Sequence, residues 1–538
     1  MPVTPKYPGV YIQEAPSTSH VIGGDPTSNT AFVDVFERGP ANVPQKISGW
    51  REFESMFGGF DRASRASYGI SQFFLNGGST AYVVRITGDR AVSATVELKE
   101  VGLTANGPGT WGNQIEAATQ PNTHDPGLFD LAIRELSRSS PSPTVVTSEI
   151  YSGLSTDPEH PNFVTDVLYH QSALVRTHGP VKIVTARSSR TRAAPHDVTD
   201  PGNVSDPTDA RFAANRFTGG VDDLSISGRG ALGDPGDPEV DRAPTGYYTL
   251  PSIAPSVFNI LCLPAMAAFD ADAWADAYLD ASSFCETHRA FFIVDVPQAV
   301  IDSSKDTSVQ VDDVERWFLG LGSTSDHSAV YFPRIEIPDP ARSGGPSMET
   351  EVSGTLAGIY ARTDSSRGVW KAPAGNAAAL VDAVGVTAKI DDADNGRLNP
   401  LGINVIREFP LIGTVSWGAR TMAGGDLLQS QWKYVSVRRT ALYIEASLAR
   451  GTNWAVFEPN DEALWASLRL SVGSFMDSLY KQGALAGSSA KDAYFVACDA
   501  TTTTPADQAA GRVNIDVGCA PLYPAEFVVI RISQITDR

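Results

Sequence analysis

Residues 290–296 (Ala-Phe-Phe-Ile-Val-Asp-Val) give a strand almost no polar face to turn toward water. A strand that apolar on both sides must be covered on both sides, as in a parallel sheet flanked by helices. The flanking sequence fits. Val257–Leu263 reads as an apolar strand, Asp270–His288 as a helix, Val311–Leu321 as a second helix, and Ser328–Phe332 with Arg334–Ile337 as a third strand region. Strand–helix alternation at this spacing predicts a right-handed parallel unit. Residues 349–362 predict a helix rich in small residues, with Gly354, Ala357, Gly358 and Ala361, which lets a neighbouring backbone come close. A second α/β segment is expected from Ile403 to Ile535. Its clearest helix is Asp461–Gln482, with Asn460 as N-cap and Leu464, Trp465, Leu468, Val472, Phe475, Met476 and Leu479 on one face.

Upstream, Pro2, Pro5, Pro8 and Pro16 forbid helix in residues 1–30, which predicts an extended arm. Inside it, residues 9–14 (Gly-Val-Tyr-Ile-Gln-Glu) have strand character. Residues 31–36 read as a strand, Trp50–Phe57 as a short helix with Phe53, Met56 and Phe57 on one face, 66–76 as a helix, and 81–86 as a strand. Residues 96–245 are rich in Ser, Thr, Pro, Gly and Asp, and predict a mostly β insertion with long loops. The chain closes on residues 526–535, a strong strand pattern with no turn after it. Both termini thus carry strand-prone pieces without a hairpin partner. Such an edge seeks another sheet, and adding it to a neighbour's sheet links two molecules through main-chain hydrogen bonds. Val10, Tyr11 and Ile12, with Phe527, Val528, Val529, Ile530 and Ile532, are the residues expected to do so.

The net charge of −20 argues against a phosphate-binding surface and so against nucleic acid as a direct partner. The charge is unevenly spread. Residues 401–538 hold 12 basic and 13 acidic side chains, against 30 and 49 in the first 400. A nearly neutral C-terminal part suits burial in an assembly, and Lys433, Arg438, Arg439, Arg469 and Lys481 are candidates for contacts with another molecule in it. No apolar run reaches about 18 residues, so no membrane insertion is expected, and assembly is expected in the cytoplasm. The four cysteines form no CxxC pair and are expected to be reduced, buried thiols. The histidines lack metal-site spacing, and GxxxxGK[ST] does not occur, so neither metal nor nucleotide cofactor is expected.

Several blocks resemble the contractile tail sheath proteins of phages and related injection systems. They are Tyr7-Pro8-Gly9-Val10-Tyr11-Ile12-Gln13-Glu14, Phe73-Phe74-Leu75-Asn76-Gly77-Gly78 with Ala81-Tyr82-Val83-Val84-Arg85, and Gly109-Thr110-Trp111-Gly112-Asn113. Then come Tyr360-Ala361-Arg362-Thr363-Asp364 with residues 368–375, Asn399-Pro400-Leu401-Gly402-Ile403-Asn404, Trp417-Gly418-Ala419-Arg420-Thr421, residues 451–460 and Pro524-Ala525-Glu526-Phe527.

The resemblance implies a multidomain α/β and α+β fold: a subtilisin-like α/β sheath domain, a C-terminal sheath domain, a mostly β outer insertion, and extended N- and C-terminal arms. The implied division is an arm at 1–30, the first part of the core at 31–95, the insertion and its linker at 96–245, the subtilisin-like domain at 246–400, a domain facing the inner tube at 401–522, and a strand arm at 523–538. The implied partners are other copies of the chain in hexameric rings of a helical sheath, an inner tube protein, and baseplate and terminal cap proteins. The implied place is a phage tail or phage tail-like contractile particle, and contraction from a metastable extended state is the implied work.

A subtilisin-like fold also raises a serine hydrolase, since fold alone does not set function. That chemistry needs a serine, a histidine base and an orienting aspartate. The nearest echo of a nucleophile block is Gly354-Thr355-Leu356-Ala357-Gly358, with leucine at the nucleophile's place. Asp295 and His327 are the nearest candidates for the other roles, without a supporting motif around them. The sequence therefore favours a structural protein.

Overall fold

In a computed structural model, the described residues are 20–122, 124–125, 127–138, 143–179, 181, 210–226, 230–302, 304–340, 342 and 345–529. Their centre is an eight-stranded sheet. Its strands run in the order Gly413–Ser416, Ile403–Phe409, Ser328–Phe332, Phe291–Asp295, Ile260–Cys262, Thr30–Val35, Ala81–Ile86, Gln45–Ile47. The six inner strands pair in parallel and the two edge strands antiparallel.

The apolar run 290–296 lies inside this sheet and is buried along its whole length. Alternation divides its side chains between two cores. Phe292 and Val294 pack with Trp274, Tyr278, Val311 and Phe318 from the helices Ala271–Thr287 and Thr307–Leu319. Phe291 and Ile293 pack on the other face with Ile70, Phe73, Leu356 and Tyr360 from the helices Arg65–Leu75 and Ser353–Arg367. Those last two helices touch through glycine. A Cβ on Gly354 would collide with the backbone of Gly69, and one on Gly358 would lie 2.5 Å from the carbonyl oxygen of Phe73. The small-residue helix therefore serves close packing.

Several expectations need correction. The sheet runs across the expected division at residue 400, because Ile403–Phe409 pairs in parallel with Ser328–Phe332. Ile335–Pro338 leaves that sheet and joins Ser347–Thr350 and Gly385–Val386 in a small antiparallel one. Met56 is exposed; Phe53 and Phe57 are buried in the core, and Trp50 packs against it from the same helix. The helix Glu462–Lys481 is capped by Asp461, whose carboxylate accepts from Leu464 N–H at 3.0 Å; Asn460 instead accepts from the Trp465 indole at 2.9 Å. Cys262, Cys285 and Cys498 are buried thiols, but Cys519 is exposed.

Residues 96–245 hold more order than long loops suggest. Two three-stranded antiparallel sheets and the helix Val164–Gln171 enclose a separate core that includes Leu103, Trp111, Leu131, Ile133 and Leu168. At the other end of the chain, the helices Val435–Gly451 and Glu462–Lys481 bury Ile444, Val472, Phe475, Met476 and Leu479 together, with Ile22 from the N-terminal segment. A two-stranded ribbon, Tyr494–Ala497 with Asp516–Cys519, packs beside them.

Candidate functional site

The hydrolase candidates do not converge. Asp295 ends its strand at the carboxyl edge of the sheet, while His327 precedes Ser328 at the amino edge; the register sets Phe292 opposite Ser328 and Asp295 opposite Tyr331. His327 is committed on both nitrogens. Its Nδ1–H donates to Asp326 at 2.7 Å, and Nε2 accepts from Arg438 at 2.5 Å. Leu356 is fully buried in its helix. Asp295 Oδ1 accepts the Val352 and Ser353 N–H groups, each at 3.0 Å, and so caps the start of helix 353–367. Burial, and then the nearby Glu351 charge, push its carboxyl up to about 7. Asp34 does the same at the start of helix 65–75, accepting from Ala66 N–H at 2.7 Å, and burial again raises it to about 7. Ser64 also donates to Asp34, at 3.3 Å, so the carboxyl ends of these two strands hold hydrogen-bonded helix caps, and Asp295 and His327 stand at opposite edges of the sheet.

The described chain is fastened at two roots, one near its first described residue and one near its last. At the C-terminal root, Arg420 is buried and grips Glu526 with a two-pronged contact, Nε to Oε1 and Nη2 to Oε2, both 2.7 Å. Asn399 and Tyr434 also donate to Glu526, at 2.9 and 3.2 Å. Burial works to raise the Glu526 pKa, but the Arg420 hydrogen bonds and charge outweigh it and hold the carboxyl below its ordinary value. Immediately beyond this clamp the chain is bare. Phe527, Val528 and Val529 are 72, 82 and 79% exposed and in no strand. Beside the clamp lies a cleft of about 630 Å3, walled by Trp370, Trp417, Tyr434 and Tyr523, with Arg367 and Lys371 at its side.

At the N-terminal root, the segment from His20 runs along helix 435–451 toward the sheet. His20 stacks on Trp454 with ring centres 3.8 Å apart. Asp25 N–H donates to Ser447 at 3.0 Å, and its carboxylate meets Arg450 at 3.1 Å. Arg439 donates to the Thr27 carbonyl at 2.9 Å and pairs with Asp364 at 2.6 Å. The two roots lie at opposite ends of the helical pair. Trp454 follows the end of helix 435–451, whereas Tyr434 immediately precedes its start.

The expected contact residues separate accordingly. Arg438 and Arg439 are buried and committed inside the chain, Arg438 to His327 and Arg439 to Asp364, rather than free for contact with another molecule as expected. Lys433 pairs with Asp426 at 2.7 Å beside the clamp. Arg469 pairs with Glu462 at 2.7 Å, and Lys481 with Asp477 at 2.6 Å on an exposed helix end. Val10, Tyr11, Ile12, Ile530 and Ile532 lie outside the described residues. The Arg420–Glu526–Asn399 clamp escaped the sequence reading as a unit. All three residues fall inside quoted blocks, yet nothing in their spacing announces that they meet.

Comparison with known proteins places this geometry in context. Residues 429–535 match the phage tail sheath C-terminal domain. Over 175 residues the chain is 31% identical to the tail sheath protein of Burkholderia phage BcepMu, covering 31% of this chain and 36% of that one. Over 206 residues it is 24% identical to the tail sheath protein of Enterobacteria phage T4, covering 36% of this chain and 29% of that one. The matched stretches thus span about a third of these curated relatives. The fold is similar over 99% of this chain and 98% of the other to the sheath of an extracellular contractile injection system, PVC, in its contracted state (TM-score 0.55, 20% identity). It is similar over 93% and 96% to the sheath tail protein of Listeria innocua (TM-score 0.56, 12% identity). The sequence resemblance to tail sheath proteins therefore holds in the C-terminal domain, in the curated relatives and in the fold.

Proposed function

We propose that this chain, a relative of phage tail sheath proteins, is the structural subunit of a contractile sheath and has no catalytic role. Copies stack as hexameric rings around an inner tube, are assembled in an extended metastable state, and drive the tube through a target envelope on contraction. The observation that carries this reading is the C-terminal root. A clamp of four hydrogen bonds from three side chains holds Glu526, and three large apolar residues follow it into solvent without a partner strand in the described chain. An exposed apolar strand is an aggregation hazard unless a neighbour takes it up. The ribbon Tyr494–Ala497 with Asp516–Cys519 is two strands wide among the described residues, and its edges can accept such an arm.

In this reading the N-terminal arm reaches one neighbour and the C-terminal arm another. Residues 401–522 face the tube, and residues 96–245 face outward. The work of contraction comes from new subunit contacts, since a few kcal/mol per subunit, multiplied over many copies, suffices to bias a two-state array. Electron microscopy of the purified chain tests this. Wide hollow cylinders with helical ridges are expected, and deletion of residues 1–19 should leave a folded, soluble chain that forms none. Full cylinders from the deletion variant would sink the arm mechanism, and discrete monomers from the intact chain would sink the sheath reading.

A further inference from the structure

Between the two helices of the C-terminal pair, the loop 456–458 presents Val456 and Phe457 at 61 and 103% exposure. Phe457 holds a left-handed backbone, φ +69°, which a bulky residue adopts only under constraint from its surroundings. The fold thus holds an aromatic ring away from every core it has. Glu458 follows, exposed and without an ion pair among the described residues. The arm-root cleft is complementary. Trp370, Trp417 and Tyr523 supply aromatic walls, and Arg367 and Lys371 supply two cations without a carboxylate partner among the described residues. Burial, and then the Arg367 charge, lower the Lys371 pKa, so an incoming carboxylate would relieve that pair.

The two features cannot satisfy each other within one molecule. The loop follows the last turn of helix 435–451 and the cleft includes Tyr434 just before its first, so the helix, about 25 Å long at about 1.5 Å per residue, stands between them. A knob at one end and a matching cleft at the other define a head-to-tail contact, which repeats without limit if it does not close.

We propose that the Val456-Phe457-Glu458 knob of one copy seats in the arm-root cleft of a second copy, with Phe457 among the aromatic walls and Glu458 against Arg367 and Lys371. This rests on the sheath reading and adds to it a side-chain lock independent of the strand arms. Glycine relieves a left-handed backbone, so Phe457→Gly should leave thermal stability unchanged or raised while lowering polymer yield roughly tenfold or more. Glu458→Arg and Arg367→Glu should each weaken assembly, and the double variant should restore it. In assembled full-length chain, p-benzoylphenylalanine at position 457 should crosslink to residues 367–375 or 522–526 of another copy. Normal polymerisation of Phe457→Gly would overturn the lock and leave the sheath reading standing. A crosslink into residues 1–19 would also overturn it, by making the N-terminal segment the occupant. Failure of the unaltered chain to polymerise would overturn both.

Discussion

Glu526 is where a single side chain anchors the end of the described chain to the body. Its carboxylate is held below its ordinary pKa, so the stability it contributes is present above that ordinary value and is lost as pH falls through the lowered native one. Glu526→Ala leaves the buried Arg420 without its main partner, and should cost about 3–5 kcal/mol of local anchoring. Hydrogen exchange over residues 520–529 should then rise with little change across the central sheet. Asp295 has the opposite sign. Its pKa rises from 3.8 to about 7, so the stability tied to its protonated form is full below the ordinary aspartate range and is lost as pH rises toward 7. Asp295→Asn keeps an oxygen for the Val352 and Ser353 N–H groups, and should flatten the decline in melting temperature between about pH 4 and 7. Sequence alone could flag Asp295 as a carboxylate ending an apolar strand. It could not tell Lys481, exposed, from Arg439, buried against Asp364, because that depends on which element covers which.

Among elements, the strands were the most legible. The run 290–296 is apolar on both faces and the segment 81–86 is apolar but for Arg85, and each forms a fully buried strand of the central sheet. The face of helix 462–481 was equally legible, since all seven residues assigned to its apolar stripe are buried. Its cap was less so, because Asn460 and Asp461 are both capping residue types and only geometry chooses between them. Strand 403–409 was read as the start of a new segment, because pairing with Ser328–Phe332 is a long-range event with no local signature. The glycine contacts between helices 65–75 and 353–367 give a sharp prediction at this scale. Gly354→Ala places a methyl group against the Gly69 backbone, which cannot yield like a flexible side chain. It should destabilise the fold by about 1–3 kcal/mol in urea titrations, whereas Gly396→Ala, with open space around it, should be tolerated.

Across the whole molecule, the C-terminal helices are joined to helix 353–367, which flanks the main sheet, through charge as well as apolar contact. Arg439 and Asp364 are 3 and 4% exposed at their side chains, and the guanidinium lies over the Tyr360 ring, 4.7 Å from its centre. Removing one partner of such a pair strands the other, so Arg439→Ala should cost about 3–5 kcal/mol. It should also split a single thermal transition into two as the C-terminal helices uncouple. A conservative Arg439→Lys keeps the charge but loses the two-pronged contact with Asp364, and should fall between. The uneven charge was readable from the sequence, but the ordered core inside residues 96–245 was not. Its longest strand, Val145–Leu154, carries few large apolar residues and is mostly half-buried or exposed, and the turn-rich composition around such strands also marks loops.

The way residues 20–27 lie along helix 435–451 has a mechanical consequence. His20 is fastened just past the end of that helix, at Trp454, Asp25 and Thr27 at successive points on the helix itself, and the chain then enters the middle of the sheet at Thr30. Tension on the N-terminus therefore loads these fastenings together, in shear, instead of peeling them one at a time. Force applied at one end of the subunit passes into its stiffest layer, then through Arg420 and Glu526 to the opposite end. In an optical trap, tethers on the two terminal segments should yield at markedly higher force than a tether pair that pulls residues 20–27 away from the helix sideways. Equal rupture forces would show that the segment carries no load.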